Sequence, residues 1–233
     1  MTSTTPSGPA PAQPPVTAPA GVDDGALPVL GMLAYSELAA FTRLAADSAL
    51  APTLAERLAL ARLARHALDS LDDVAARVAE LGGDLQPVMA PFSGVLLEFD
   101  RRTQPSTWWE RLLKAYVGYG VADDFTGMVS AAVDPTTRVV VADALSDDGL
   151  AQLVVDTLAA AALQDATLAS RLALWGRRLV GEALGVVQSV LTVHPEIQVL
   201  VERAMPEGEG QARMFAMLTA EHSRRMQRLG LTP

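Results

Sequence analysis

The sequence predicts an all-α protein built as a helical bundle, and three observations carry that prediction. Half of the 233 residues are hydrophobic while only 5% are aromatic, and the Ala- and Leu-rich remainder suits helices that pack closely. Long stretches repeat apolar residues at intervals of three and four, the spacing of one helix face. The strongest strand signal, Val139 to Val141, is short, has no hairpin partner and lies between helical patterns. A chain of this length can bury a large core, so we divide it into a Pro/Ala-rich tail at residues 1–22 and one helical domain at residues 23–233.

The first helix is expected from about Ala26 to Leu50, with Leu30, Leu33, Glu37, Phe41 and Leu44 on one face. The second opens at Thr53-x-x-Glu56, where each side chain can satisfy the other residue's free backbone N–H, and closes at Gly82-Gly83. Its core face reads Leu60, Leu63, Ala67, Ser70, Val74, Val78 and Leu81. Pro87, Pro91 and Pro105 then bracket a short helix around Ser93 to Arg101. A third long helix starts near Ser106 or Thr107, whose hydroxyls suit an N-cap, and continues to Asp134-Pro135 with Leu113, Val117, Gly120, Asp124, Met128 and Ala131 on one side. Thr136 to Leu145 reads as a short helix and Asp147 to Leu163 as another. The next long helix, Ala166 to Leu191, places Leu172, Trp175, Leu179, Glu182, Val186 and Val190 inward. A short helix that Pro195 can start and a last one from about Gly210 to Leu229 complete the chain.

Composition narrows the chemistry. With no cysteine there are no thiolate ligands, disulfides or cysteine nucleophiles, so carboxylates and His66, His194 and His222 are the strong metal ligands on offer. A net charge of −9 argues against a broad electrostatic grip on nucleic acid. Seventeen of the eighteen basic residues are Arg, and Lys114 is the single Lys. Residues 1–22 hold no basic residue and no apolar run, so they are expected to be disordered and are no secretory signal. Apolar runs such as Leu150 to Leu163 fall short of the roughly 20 residues that span a bilayer. The expected location is therefore cytoplasmic, with no membrane partner.

Three carboxylates break the apolar stripes: Glu37, Asp124 and Glu182, each on a different long helix. An ionised carboxylate is costly to bury unless something pairs with it. Convergence of the three on a metal ion is one solution, and pairing with arginines such as Arg43, Arg62, Arg177 or Arg178 is the other. Asp123 reads as a solvated neighbour of Asp124.

Five blocks in this order, LAYSELAAFTRLA, MAPFSGVL, WWERLLKAYVGYGVADDF, SRLALWGRRLVGEAL and HSRRMQRLGL, resemble an actinobacterial ferritin-like family that is similar to the MiaE-like hydroxylases of methylthio-isopentenyl-adenosine in tRNA. The resemblance covers Leu27 to Leu231. It implies a ferritin-like four-helix bundle, a di-iron centre, oxygen-dependent hydroxylation by a non-haem monooxygenase and tRNA as partner; a homodimer is an open possibility. On it, Glu37, Asp124 and Glu182 match carboxylate metal ligands. Such bundles also draw on Glu-x-x-His pairs from two of their helices, and no Glu-x-x-His occurs in this chain. The expected second-helix ligand positions hold Ala67 and Ser70, and Gly185 stands where a histidine would complete a pair with Glu182. His66 is one residue from Ala67, but one helical step turns a side chain by about 100°. The resemblance is thus compatible with a hydroxylase or with a metal-free structural or interaction protein on the same bundle.

The remaining candidates have plainer readings. His194, before Pro195, reads as an exposed loop residue and His222 as a surface or rim residue. Arg224, Arg225 and Arg228 can complement a helix C-terminus or contact phosphate. Trp108 and Trp109 read as closing the bundle's end. Gly118, Gly120, Gly127, Gly176, Gly181 and Gly185, lying within helices, read as sites of close helix approach.

Overall fold

A computed structural model describes residues 25–146, 148–205 and 210–233, with Asp148 described by its backbone only. The tail expected at residues 1–22 lies outside the described residues. The described elements are helical, in the order α1 (Ala26–Leu50), α2 (Leu54–Glu80), α3 (Leu85–Met89), a 3-10 turn (Ala90–Phe92), α4 (Leu97–Arg102), α5 (Trp108–Leu113), a π turn (Lys114–Gly118), α6 (Gly120–Ser130), α7 (Pro135–Ala144), α8 (Asp148–Gln164), α9 (Ala166–Val193), α10 (Pro195–Ala204) and α11 (Gly210–Arg228).

The helix signals act where the sequence puts them. Thr53 and Glu56 form the reciprocal capping box that starts α2, and Gly82, at φ 77°, follows its end. Asp134 caps α7 by accepting from the Thr137 N–H, with Pro135 at the first helical position. The Val139 to Val141 run is thereby helical.

The hairpin α1–α2 packs along its whole length. On its α1 side lies the segment running from α5 through the π turn into α6, and α9 packs against that segment from the other side. Helices α8, α10 and α11 brace this core. Leu30, Leu33, Val74, Val78, Leu113, Val117, Val121, Leu172 and Leu179 are fully or almost fully buried, and each such aliphatic side chain stabilises the fold by about 1.5–3 kcal/mol before entropy is counted. Helix α1 is long and apolar enough to cross a bilayer by length and composition; here its first half, with Val29, Leu30 and Leu33, is buried in the core, while Leu38 and Leu50 are exposed.

Two departures from expectation decide what the polar residues can do. The third long helix is not regular: between α5 and α6 the Tyr119 N–H bonds back to the Lys114 carbonyl, five residues away. This inserts an extra residue and rotates everything after it, so α6 buries Val121, Phe125 and Val129, and Asp124 lies on the flank. On α9 the buried face is Leu172, Ala173, Gly176, Leu179, Ala183, Val187 and Val190. That face is offset from the expected one, and Glu182 falls at its margin.

Two histidine expectations are corrected. His194 is buried at the α9–α10 junction, stacked on Phe92 with ring centroids 4.5 Å apart and Nδ1 3.1 Å from Glu196 Oε1. His222 is 2% exposed, and neither ring nitrogen has a hydrogen-bond partner among the described residues. Burial, together with the nearby Arg225 charge, pushes its pKa down to about 4.

Candidate metal centre

Glu37 sits on the buried side of α1, 9% exposed, beside a cavity of about 70 Å³. Ala67 lines the same cavity from α2, with the exposed His66 at its edge, and Arg43 and Asp123 border it as well. Ser70 is buried one turn further along α2. The second-helix positions that would offer metal ligands therefore present a methyl and a hydroxymethyl group.

Asp124 is engaged elsewhere. Arg225 of α11 donates from Nη1 to Oδ2 at 2.5 Å and from Nη2 to Oδ1 at 2.7 Å, and both side chains are less than a fifth exposed. This two-pronged pair is the strongest geometry a carboxylate and a guanidinium can adopt. Gly120 makes room for it, since a Cβ there would lie 2.8 Å from Arg225 Cζ. The cleft beside the pair is lined in part by Tyr116, Glu221 and Arg228.

Glu182 lies on a third surface. Its Oε2 is 3.6 Å from Arg102 Nη1, and its side chain is 29% exposed. Alongside it, the space enclosed by α1, α4, α6 and α9 is a cavity of about 30 Å³, bounded by residues such as Met32, Phe99, Phe125, Ala183 and Val187, with no carboxylate or histidine in its wall.

The structure thus separates the three sequence-predicted residues. Among the described residues, no three His, Asp or Glu side chains gather closely enough to hold a metal ion. The donor set fails on charge as well as position, because the Arg225 guanidinium already neutralises Asp124 through both oxygens and its fixed positive charge would repel a metal cation there. The residues do not fit a di-iron group. Pairing with arginine, the alternative the sequence left open, describes Asp124 and Glu182, but the partners are Arg225 and Arg102. Arg177 instead donates to the carbonyls of Thr232 and Pro233, and Arg178 to that of Arg102.

A polar cluster missed from the sequence surrounds the π turn. Asp100 Oδ1 accepts from Lys114 Nζ at 2.7 Å and from the Tyr119 hydroxyl, while Arg111 Nη1 donates to Asp47 Oδ1 at 2.8 Å. The Arg43 guanidinium lies 3.4 Å from the Tyr119 ring centroid. Burial lowers the Lys114 pKa and raises that of Tyr119. The single lysine among eighteen basic residues was the available signal.

Residues 21–203 match the family model described as a ferritin-like domain of actinomycetes. No curated protein matches the chain. With the match spanning most of the sequence and all four long helical segments, the chain belongs to the ferritin-like domain family of actinomycetes.

Proposed function

We propose that this chain is a metal-free binding or interaction protein built on the ferritin-like bundle, and that the oxygen chemistry of the MiaE-like tRNA hydroxylases it resembles has been lost. The observation that carries this reading is the Asp124–Arg225 pair, which occupies both carboxylate oxygens on the one α6 acid matched to a ligand position. Ala67 and Ser70 on α2 support it, as does the exposure of Glu182. The small interior cavities support it too, since about 30 and 70 Å³ admit waters but no nucleoside.

The test is anaerobic incubation with excess ferrous iron, followed by gel filtration and metal analysis. The reading expects no stoichiometric iron with the protein. Iron retained in stoichiometric amount, and lost in E37Q, would restore the hydroxylase reading. Stable tRNA association is not expected either, because Arg177, Arg178, Arg224 and Arg225 are all engaged within the chain. Salt-sensitive binding of tRNA at low ionic strength would contradict that expectation.

A further inference from the structure

We propose that the cleft between α1 and the π turn is a binding site for a small monocarboxylate, with Arg43 holding the carboxylate beside the ion-paired Arg111 and Lys114, and Tyr35 and Leu38 receiving its apolar body. The cleft has a volume of about 480 Å³, within the range of small-molecule sites. It is separate from the Asp124–Arg225 pair.

The π turn builds it. In a regular α-helix, residues five apart point about 140° away from each other, so Lys114 and Tyr119 would face different surroundings. The widened turn brings both to the same cleft. Such turns are uncommon and recur at functional sites. Its consequence here is to aim the one lysine of the chain, 8% exposed, at a wall it shares with an aromatic hydroxyl and a carboxylate.

The charges select the ligand. Three cationic side chains, Arg43, Arg111 and Lys114, and two carboxylates, Asp47 and Asp100, line the cleft. Each carboxylate has a cationic partner, Asp47 with Arg111 and Asp100 with Lys114. The Arg43 guanidinium lies over the Tyr119 ring, and its Nε is buried without a hydrogen-bond acceptor among the described residues. A buried guanidinium N–H without an acceptor is costly, and a carboxylate is the group whose geometry matches the planar fork. With Asp47 and Asp100 paired to Arg111 and Lys114, the cleft keeps the single uncompensated charge of Arg43, which matches a monoanion rather than a dianion such as phosphate. Leu38, 36% exposed, gives an apolar wall one helical turn from Thr42 and five residues before Arg43.

The single lysine gives a clean readout. Protein labelled with 13C on lysine carries one side-chain Cε resonance, that of Lys114, which is titrated at constant ionic strength with hexanoate, with uncharged hexanamide and with inorganic phosphate. The proposal expects a saturable shift with hexanoate and none of comparable size with the other two. R43Q should weaken hexanoate binding by about tenfold or more, the loss of a charge-assisted hydrogen bond. Should R43Q fail to fold, L38E, at an exposed position, puts a repelling carboxylate at the apolar wall and should abolish the shift. No saturable shift, an equal response to phosphate or hexanamide, or unchanged affinity in folded R43Q or L38E would overturn the proposal. The titration uses protein without added metal, so its failure leaves the metal-free reading untouched, and iron retention in the metal test would leave this cleft unaffected.

Discussion

Arg225 closes both oxygens of Asp124, joining α11 to α6 across 101 residues of sequence through bonds of 2.5 and 2.7 Å. Removing one partner leaves a largely buried charge without compensation. R225A and D124A should therefore each destabilise the fold by about 3 kcal/mol, whereas D124L/R225M, which removes both charges, should recover much of that loss. Urea denaturation of the three variants checks this. Equal instability of the double variant would show that the pair is more than a local electrostatic device.

Glu182 should behave differently. Its side chain is 29% exposed and stands 3.6 Å from Arg102, a geometry worth little in solvent. E182Q is expected to change stability by less than about 0.5 kcal/mol in the same denaturation experiment. A loss of several times that size would mean that Glu182 has a stronger role in the folded chain than this geometry gives it.

His222 makes stability depend on acid. Its folded pKa, lowered to about 4 from an ordinary 6.5, means that the unfolded chain takes up a proton before the folded one does. The contribution is complete above pH 6.5 and is lost as the pH falls through the interval down to about 4, on the order of 3 kcal/mol in all. H222L should flatten that part of the pH–stability curve and be neutral or stabilising at pH 7, because both ring nitrogens are buried without partners among the described residues. Thermal melts of the two proteins between pH 4 and pH 7 test it; parallel curves would contradict it.

Two glycines on long helices should respond in opposite directions to the same substitution. At Gly31 a Cβ would lie 2.2 Å from the Val88 carbonyl oxygen of α3, a backbone atom that cannot rotate away. At Gly185 nothing lies within 4 Å. G31A should cost about 2–3 kcal/mol, while G185A should gain up to about 1 kcal/mol from helix propensity alone. Differential scanning calorimetry would show the two melting temperatures moving apart.

The bundle was legible because its signals are local. The capping box at Thr53 and Glu56, the break between helices at Asp134-Pro135 and the stripe of Leu30, Leu33 and Leu44 each act within a few residues and each appears in the fold, although Asp134 and Pro135, read as the end of one helix, serve as the start of α7. The glycines were legible in part: Gly120 and Gly176 do admit Arg225 and Met226, whereas Gly181 and Gly185 face open space. The candidate site was not legible, for two physical reasons. The π turn adds a residue that no periodicity announces, and so it moves Asp124 off the face that a regular helix would bury. The arginines that answer the acids, Arg225 for Asp124 and Arg102 for Glu182, lie far away in sequence, and only tertiary packing chooses them. The same packing buries His194 against Phe92.

The central claim, that ion pairs and apolar side chains have replaced a metal centre, is tested most directly by thermal unfolding with and without ferrous iron under anaerobic conditions. A ligand that binds the folded chain raises its melting temperature in proportion to the logarithm of its concentration. The account predicts the same melting temperature in both samples. A rise that grows with iron concentration and vanishes in E37Q would contradict it.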